Sequence, residues 1–247
     1  MKLNRNTEVE SLQVSPPDAK PVLVAVPFLD EPTNLDWNDA LKQLPDGCVD
    51  LVVTDPPYGM SYQSNMRKSK HKKIVGDDNL DWLESWVVEL KRLCKPEAHL
   101  YIFCSWHKVD EFKAVIQTYF NVKNILIWDK KAGGMGDLEG DYCPSYEMVI
   151  FCSNGIKKLN GGRDSSILRT IRTNNENHPT EKPVNLIKYF IEKSSKEGDI
   201  VLDTFAGSFS TARACKESRR HFLCFEIDAD YCARGRQLLN GTAVSLF

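Results

Sequence analysis

The chain has 247 residues, of which 42% are hydrophobic and 27% charged, so it has enough apolar side chains for the core of one α/β domain. Its formal net charge of −2 excludes a globally basic protein, and a polyanionic partner would need locally concentrated positive charge. The eight cysteines form no Cys-x-x-Cys pair, which argues against a zinc site, and no apolar run is long enough to span a membrane.

The predicted elements begin after a polar stretch, residues 1–20, which we expect to be a flexible N-terminus. The rest, residues 21–247, alternates between short apolar runs and segments with helical spacing. The apolar runs predict strands at 21–29, 49–53, 100–104, 124–128, 145–152, 200–203 and 221–226. The helical spacing predicts helices at 37–44, 80–93, 109–119, 183–194, 210–217 and 231–239. This alternation predicts a single α/β domain with a doubly wound, mostly parallel seven-stranded sheet and helices on both faces.

An acidic, proline-rich turn follows the predicted strand at 49–53, with the sequence Thr-Asp-Pro-Pro-Tyr-Gly at 54–59. Its two prolines fix φ near −65° and remove two backbone donors, which leaves acceptors: the Asp55 carboxylate and the carbonyl of Pro56. Tyr58 adds a flat aromatic face. The carboxyl end of a parallel strand is where open α/β sheets place their ligands. The turn is therefore suited to a planar substrate that carries an amino group.

A second turn joins the predicted strand at 200–203 to the predicted helix at 210–217 and contains Ala206, Gly207 and Ser208. Glycine permits a close backbone approach, and the hydroxyls and N–H groups at a helix N-terminus favour an anionic group. Glu226 ends the next predicted strand, where a carboxylate can accept both hydroxyls of a ribose. Together these residues predict a nucleotide-like cofactor site.

The Asp-Pro-Pro-Tyr segment resembles the catalytic motif of the amino-methyltransferases that modify exocyclic amines of DNA bases with S-adenosylmethionine. Residues 177–183, Asn-His-Pro-Thr-Glu-Lys-Pro, are similar to the motif that precedes the cofactor strand in the β-ordered group of this family. The order of the motifs also agrees, and the resemblance covers about residues 39–239. The family pattern Asp-Pro-Phe-x-Gly-Ser-Gly is altered at two positions, with Thr204 for the proline and Phe209 for the second glycine. A Phe209 ring that closed the turn would weaken cofactor binding.

The resemblance implies a Rossmann-like methyltransferase fold and a role for each matched residue. The implied catalytic residues are Asp55, Pro56, Pro57 and Tyr58. The implied contacts to S-adenosylmethionine are Asp39, Asp55, His178, Thr180, Lys182, Asp203, Phe205, Ala206, Gly207, Ser208, Glu226 and Ile227. Among these, Thr180 and Lys182 would contact the methionine end and Asp39 the adenine side. An exposed or helix-capping role for Asp39 is the alternative.

Positive charge is concentrated in two segments that are candidates for contact with DNA phosphates. The first is a basic loop, residues 59–79, and the second is residues 153–177, where the family has its target-recognition segment. The candidate DNA-binding residues are Arg67, Lys68, Lys70, Lys72, Lys73, Arg163, Arg169 and Arg172. Because the second segment is short, recognition calls for a small site or for help from a second copy of the chain or a partner subunit.

The leading functional hypothesis is transfer of a methyl group to the N6 amine of adenine in a base flipped out of DNA. Asp at the first motif position favours adenine over the N4 amine of cytosine, although both amines need the same acceptors. Methylation of another planar amide or amine, in protein or RNA, and a non-catalytic cofactor- or DNA-binding subunit remain open alternatives. A cognate restriction enzyme is a candidate partner. Cysteines within predicted strands, such as Cys104 and Cys152, suit a reducing cytoplasm, where we expect the protein to act.

Overall fold

The computed structural model describes residues 25–59, 79–131, 139–143, 145–169 and 181–241. The strands in these ranges are β1 (Pro32–Asn34), β2 (Val49–Thr54), β3 (Cys94–Cys104), β4 (Asn121–Asp129), β5 (Tyr146–Ser153), β6 (Ile167–Arg169), β7 (Ile200–Asp203) and β8 (His221–Glu226). The helices are α1 (Trp37–Leu41), α2 (Leu83–Leu93), α3 (Val109–Tyr119), α4 (Val184–Ser194), α5 (Ser210–Glu217) and α6 (Ala229–Gly241). Among the described residues, none of the helices combines the length and apolar character needed to cross a bilayer.

The eight strands form one sheet in the order β1-β8-β7-β2-β3-β5-β4-β6. Strand β2 is parallel to β3 on one side and to β7 on the other, whereas β5 is antiparallel to both of its neighbours. The chain leaves β2 in one direction along the sheet and later returns to β7 on the opposite side. The strand order therefore reverses between β2 and β7, and such a switch point is where open α/β sheets bind ligands.

The core consists of two apolar layers, one on each face of the sheet. Successive side chains of a strand point to opposite faces, so Val52 packs in the layer with α1, α2 and α3, whereas Leu51 and Val53 pack in the layer with α4, α5 and α6. Helix α2 places Trp86 and Leu90 in the first layer, and both side chains are fully buried. These two layers confirm the predicted doubly wound α/β fold.

The edges of the sheet differ from the prediction, which gave seven strands rather than eight. A short strand was expected within 21–29, of which residues 21–24 lie outside the described residues. Residues 27–30 form a turn in which Phe28 and Asp30 have φ of 64° and 62°, values that no strand adopts. The first strand in the described part of the chain is β1, with Pro32 at the sheet edge, where a missing N–H is tolerated. Strand β6 lies inside the segment 153–177 and was not predicted, because three residues are too few to show an alternating pattern.

Several element boundaries also shift. Helix α1 ends at Leu41 rather than at residue 44, and α2 begins at Leu83 rather than at residue 80. Strand β3 begins at Cys94, earlier than the predicted residue 100, and its pairing with β2 has a register shift between Val49 and Leu51. The predicted flexible N-terminus, residues 1–20, and nearly all of the basic loop at 59–79 lie outside the described residues.

Candidate active site

The acidic turn lies directly after β2, at the switch point. Both Asp55 carboxylate oxygens accept a hydrogen bond: the Tyr58 hydroxyl donates to Oδ1, and Lys182 Nζ donates to Oδ2 at 2.5 Å. The turn ends at Gly59, which has a φ of +70°, and a Cβ there would lie 3.2 Å from Leu80 Cγ. This geometry requires glycine. A carboxylate has about four lone-pair positions, so Asp55 can accept further hydrogen bonds from a substrate.

Lys182 links the acidic turn to the rest of the site. It directly precedes Pro183, the N-cap of α4, and its side chain is only 8% exposed. Its ammonium lies 3.2 Å from Glu147 Oε2 and 4.9 Å from the centre of the Phe103 ring. The Ser210 hydroxyl donates to the Lys182 carbonyl at 2.8 Å, which ties the backbone of this lysine to the start of α5. One residue thus connects the acidic turn with the second turn of the site.

Glu147 extends the ionic contacts along the sheet edge. It is the second residue of β5 and pairs in register with Trp128 of β4, and its Oε1 lies 2.6 Å from Lys130 Nζ. The result is a chain of alternating charge, Lys130, Glu147, Lys182 and Asp55, which we call the ionic relay. Its formal charges sum to zero when all four groups are ionised, which limits the cost of burying them.

The pKa directions follow from burial and charge. Burial raises the pKa of Asp55, and the nearby Glu147 raises it further, while Lys182 opposes both effects. Burial would also raise the pKa of Glu147, but Lys182 and Lys130 together hold it below its ordinary value. Burial lowers the pKa of Lys182, yet the two carboxylates outweigh it, so its pKa is raised and the ammonium stays charged. Lys182 is therefore a fixed positive charge, and Asp55 is the group in the relay whose ionisation is most easily lost.

Asp203, at the end of β7, joins the two central strands. Its Oδ1 accepts from the Thr54 hydroxyl at 2.9 Å and from the Phe205 N–H at 3.2 Å, and its Oδ2 accepts from the Thr211 hydroxyl at 2.6 Å. Burial raises the pKa of Asp203 to about 6 despite these donors. The residue predicted to contact the cofactor therefore holds the ends of β2 and β7 and the start of α5 together.

Glu226 lies across the second turn, at the end of β8. Its Oε2 accepts from the Gly207 N–H and its Oε1 from the Asp228 N–H, each at 2.8 Å. Burial raises the pKa of Glu226 to about 7, although both backbone donors act in the opposite direction. The next residue, Ile227, is 46% exposed, so an apolar side chain lies beside this carboxylate.

Asp39 is exposed in the first turn of α1, where the N-cap is Asp36.

The second turn directs its two aromatic rings into opposite core layers. Phe205 packs between Trp82 and Trp86, with ring centres 5.6 and 5.9 Å away. Phe209 is fully buried in the other layer, and a Cβ added to Gly235 of α6 would lie 2.1 Å from its ring. The Phe209 backbone has a φ of 59°, a left-handed conformation that explains why glycine is usual here. Its ring packs against α6, which answers the concern that it would close the turn.

The structure brings most of the predicted site residues to one sheet edge. The Asp55 turn, Lys182, the residues from Asp203 to Ser208 and Glu226 all lie at or next to the carboxyl ends of β2, β7 and β8. Ala206 and Ser208 are buried there, and the Ser208 hydroxyl lies 3.1 Å from that of Ser210. His178 and Thr180 lie outside the described residues, so their predicted roles stay predictions.

The predicted DNA contacts are only partly described. Arg169, at the end of β6, is 68% exposed and lies 3.5 Å from Asp129 Oδ2. Arg163 is exposed next to Asp164, which pairs at 2.6 Å with Lys193 in the last turn of α4. The Asp164–Lys193 pair therefore lies at the opposite end of α4 from Lys182, which precedes the first turn of that helix. The other candidates, Arg67, Lys68, Lys70, Lys72, Lys73 and Arg172, lie outside the described residues.

Sequence reasoning missed Glu147 and Lys130. Glu147 was visible as an acidic residue within an apolar run, but its place in the site depends on the antiparallel direction of β5. In that direction the beginning of β5 lies beside the end of β3, with Met148 paired to Cys104. A parallel strand would have carried Glu147 to the opposite edge of the sheet.

The chain is similar to known DNA methylases over most of its length. The model of the N6/N4 DNA methylase family matches residues 49–237. The putative methylase YubD of Escherichia coli K12 is 31% identical over 200 residues, covering 81% of this chain and 85% of that protein. The DNA adenine methyltransferase YhdJ of the same organism is 27% identical over 238 residues, covering 81% and 79%. The M1.HpyAVI–SAM complex has a similar fold, with a TM-score of 0.64, 23% identity and coverage of 83% of this chain and 97% of that one. The chain therefore belongs to the N6/N4 DNA methylase family.

Proposed function

We propose that this protein transfers a methyl group from S-adenosylmethionine to the N6 amine of an adenine flipped out of DNA. The observation that carries the proposal is the Asp55 carboxylate, held by Tyr58 and Lys182 at the switch point of the sheet, one strand away from the second turn. Membership of the DNA methylase family supports DNA as the substrate. The adenine assignment draws support from Asp at the first position of the motif and from similarity to a relative described as an adenine methyltransferase.

The chemistry requires acceptors more than a strong base. The lone pair of an aromatic amine is delocalised into the ring, which makes the amine a poor nucleophile. Asp55 and the Pro56 carbonyl can each accept one N–H, which favours a tetrahedral nitrogen with its lone pair free. Catalysis then consists mainly of positioning and electrostatic stabilisation. Once methylated, the nitrogen is acidic enough to lose its proton, so no prior deprotonation is needed.

The residues of the second turn fit S-adenosylmethionine. When bound, this cofactor supplies an electrophilic methyl group on a sulfonium. Glu226 carries a carboxylate beside the Gly207 backbone, which suits two ribose hydroxyls, and the exposed Ile227 offers an apolar surface for an adenine ring. The start of α5, with the Ser208 and Ser210 hydroxyls, suits a carboxylate. The Phe209 ring packs against α6, so backbone atoms and the serine hydroxyls remain as the groups of this turn that can contact a ligand.

The substrate base must leave the helix to reach Asp55. The amine of an adenine that is stacked in a duplex cannot reach a turn at the carboxyl end of β2, so the adenine is flipped out. We expect the Tyr58 ring to stack on it, and the hydrogen bond from its hydroxyl to Asp55 supports this by holding the ring beside the carboxylate. Arg169 and the basic residues of the loop at 59–79 are our candidates for phosphate contacts, with a second copy of the chain or a partner completing recognition. We place the activity in the reducing cytoplasm, since seven of the eight free cysteines are buried.

The direct test is mass analysis of nucleosides from the DNA of cells that express this chain. We expect N6-methyladenine above the background of a host that lacks other adenine methylases, and none from the Asp55→Ala variant. N4-methylcytosine would instead support the second candidate, since the family covers both amines. Absence of both modified bases with a folded, expressed protein would refute DNA methylation. Sequencing the same DNA with methylation-sensitive detection gives the target site.

A further inference from the structure

We propose that Glu147 is a positioning residue for methyl transfer: it holds the Lys182 ammonium between two carboxylates and so keeps Asp55 able to accept the amine of the base. The inference rests on the proposed function and deepens it. Glu147 is not part of the acidic turn or of the second turn: its contact with Asp55 runs through Lys182, and its charge also acts on Asp55 at longer range.

The position of Lys182 has a cost for catalysis. Its Nζ donates to Asp55 Oδ2 at 2.5 Å, while the Tyr58 hydroxyl occupies Oδ1, so both oxygens that an amine would approach already accept one hydrogen bond. A cation that satisfied the carboxylate completely would compete with the substrate. Lys182 cannot simply be absent either, because an isolated carboxylate buried at this site would take up a proton and lose its capacity as an acceptor.

Glu147 resolves this conflict by sharing the ammonium. Its Oε2 lies 3.2 Å from Lys182 Nζ, is buried, and has no aligned hydrogen-bond donor in the described part of the chain. Its Oε1 is anchored on Lys130 at 2.6 Å, so the carboxylate is held in place from the other side. The Phe103 ring, 4.9 Å from the ammonium, limits where Lys182 can move. Lys182 therefore has two carboxylates within reach and can move toward Glu147 when the amine of the base takes its place on Asp55.

The decisive variant is Glu147→Gln, which keeps the shape of the side chain and an acceptor oxygen but removes the negative charge. Lys182 then acts on Asp55 alone, so we expect kcat to fall about tenfold, since the amine must compete with a closer ammonium. The KM values for S-adenosylmethionine and DNA should change by less than about twofold, because Glu147 is not among the residues proposed to contact the cofactor or DNA. The acidic limb of the kcat profile should move to lower pH, since loss of the Glu147 charge lowers the pKa of Asp55.

A matched control is available in Glu89→Gln. Glu89 has the same side-chain exposure as Glu147, 23%, and also loses an ion pair, at 2.7 Å with Arg92, but it lies on α2 away from the site. We expect no change of its pH profile. Glu147→Asp restores the charge and should return the acidic limb toward its wild-type position. In a Lys182→Met background, Glu147→Gln should have little further effect on kcat, because Glu147 acts through that lysine.

The outcomes separate a positioning role from a structural one. Thermal melting of each variant shows the folded fraction, and a loss of kcat that follows this fraction with an unmoved acidic limb would overturn the inference. If the wild-type enzyme is active and Glu147→Gln has unchanged kinetics, the inference is overturned while the proposed function stands. A wild-type chain that methylates no DNA would refute the proposed function and this inference together. A lowered kcat with a shifted acidic limb, rescued by Glu147→Asp, would support it.

Discussion

The two turns at the switch point are stabilised in different ways. The acidic turn depends on charged side chains from distant segments, with Lys182 preceding α4, Glu147 on β5 and Lys130 after β4. The second turn is held by neutral donors of neighbouring segments, such as the Thr211 hydroxyl on Asp203 and the Gly207 N–H on Glu226.

The difference has a consequence for ionisation. Asp55 has a cation in direct contact, whereas Asp203 and Glu226 accept hydrogen bonds from neutral groups and their pKa values are raised to about 6 and about 7. In the second turn the ionised forms of Asp203 and Glu226 are therefore destabilised by burial. A ligand whose hydroxyls donate hydrogen bonds to such a carboxylate would stabilise its ionised form. In the acidic turn the Lys182 ammonium opposes this effect through direct contact, although burial still leaves the pKa of Asp55 raised. Substitutions in the acidic turn should consequently reduce catalysis. Substitutions in the second turn should weaken cofactor binding and change the stability of the protein.

The largest effect should come from Asp55→Ala. Removing the carboxylate takes away the acceptor for the amine and leaves Lys182 with Glu147 alone, so we expect methyl transfer to fall by at least about 100-fold. Cofactor binding should change little, because the second turn keeps its own hydrogen bonds. Single-turnover methyl transfer and calorimetric titration with S-adenosylmethionine measure the two separately. Equal loss of both would mean that Asp55 is a structural residue of the whole edge.

Glu226→Gln should separate affinity from stability. We expect S-adenosylmethionine to bind about 10- to 100-fold more weakly, since two charge-assisted hydrogen bonds become neutral ones. The free protein should gain stability at pH 8. Because the folded pKa is raised to about 7, the native state holds a proton that the unfolded state releases from about pH 4.5 upward, so wild-type stability falls as pH rises through this window.

The variant removes that pH-dependent loss, which amounts to up to about 3 kcal/mol above pH 7. Thermal melts at pH 5 and pH 8 check this: the variant should gain on the wild type at pH 8 and not at pH 5. An equal change at both pH values would contradict the link to ionisation.

Packing behind the second turn provides a third comparison, through the contact between Phe209 and Gly235. A Cβ at Gly235 would lie 2.1 Å from the Phe209 ring, so Gly235→Ala should cost about 2 kcal/mol of unfolding free energy by overpacking. Urea denaturation measures the loss, and it should disappear in a Phe209→Ala background. Gly241→Ala in the same helix is the control, because no heavy atom lies within 4 Å of its added Cβ. An equal cost in both backgrounds would exclude the ring as the cause.

The second turn was easier to predict from the sequence than the acidic turn, and the reason is distance along the chain. Asp203 to Ser208 are contiguous, and Glu226 ends the next strand, so a strand–turn–helix pattern is enough to bring them together. The partners of Asp55 come from segments far apart in sequence. Motif similarity predicted Lys182 as a cofactor residue, but its contact with Asp55 requires the packing of α4 against the sheet, which no local pattern encodes.

The same limit applies to the fold. The central strands β2 and β7 were predicted closely because their buried runs, such as Val49 to Val53, are apolar apart from Asp50. The three-residue edge strands β1 and β6 were not, because their pairing depends on β8 and β4 rather than on their own composition. The direction of β5 is also decided by long-range pairing, and it is this direction that places Glu147 in the site.

The smallest expected effect tests the contact between Tyr58 and Asp55. Tyr58→Phe keeps the ring that we propose stacks on the flipped base but removes the hydroxyl that donates to Asp55 Oδ1. A hydrogen bond of this kind contributes about 1 kcal/mol, so kcat should fall about fivefold, while the KM for DNA stays within about twofold. Steady-state kinetics on an oligonucleotide that contains the target site measure both. Because the hydroxyl lowers the pKa of Asp55, the acidic limb should also move to higher pH, opposite in direction to Glu147→Gln. A loss as large as that of Asp55→Ala would instead assign the hydroxyl a direct contact with the reacting amine.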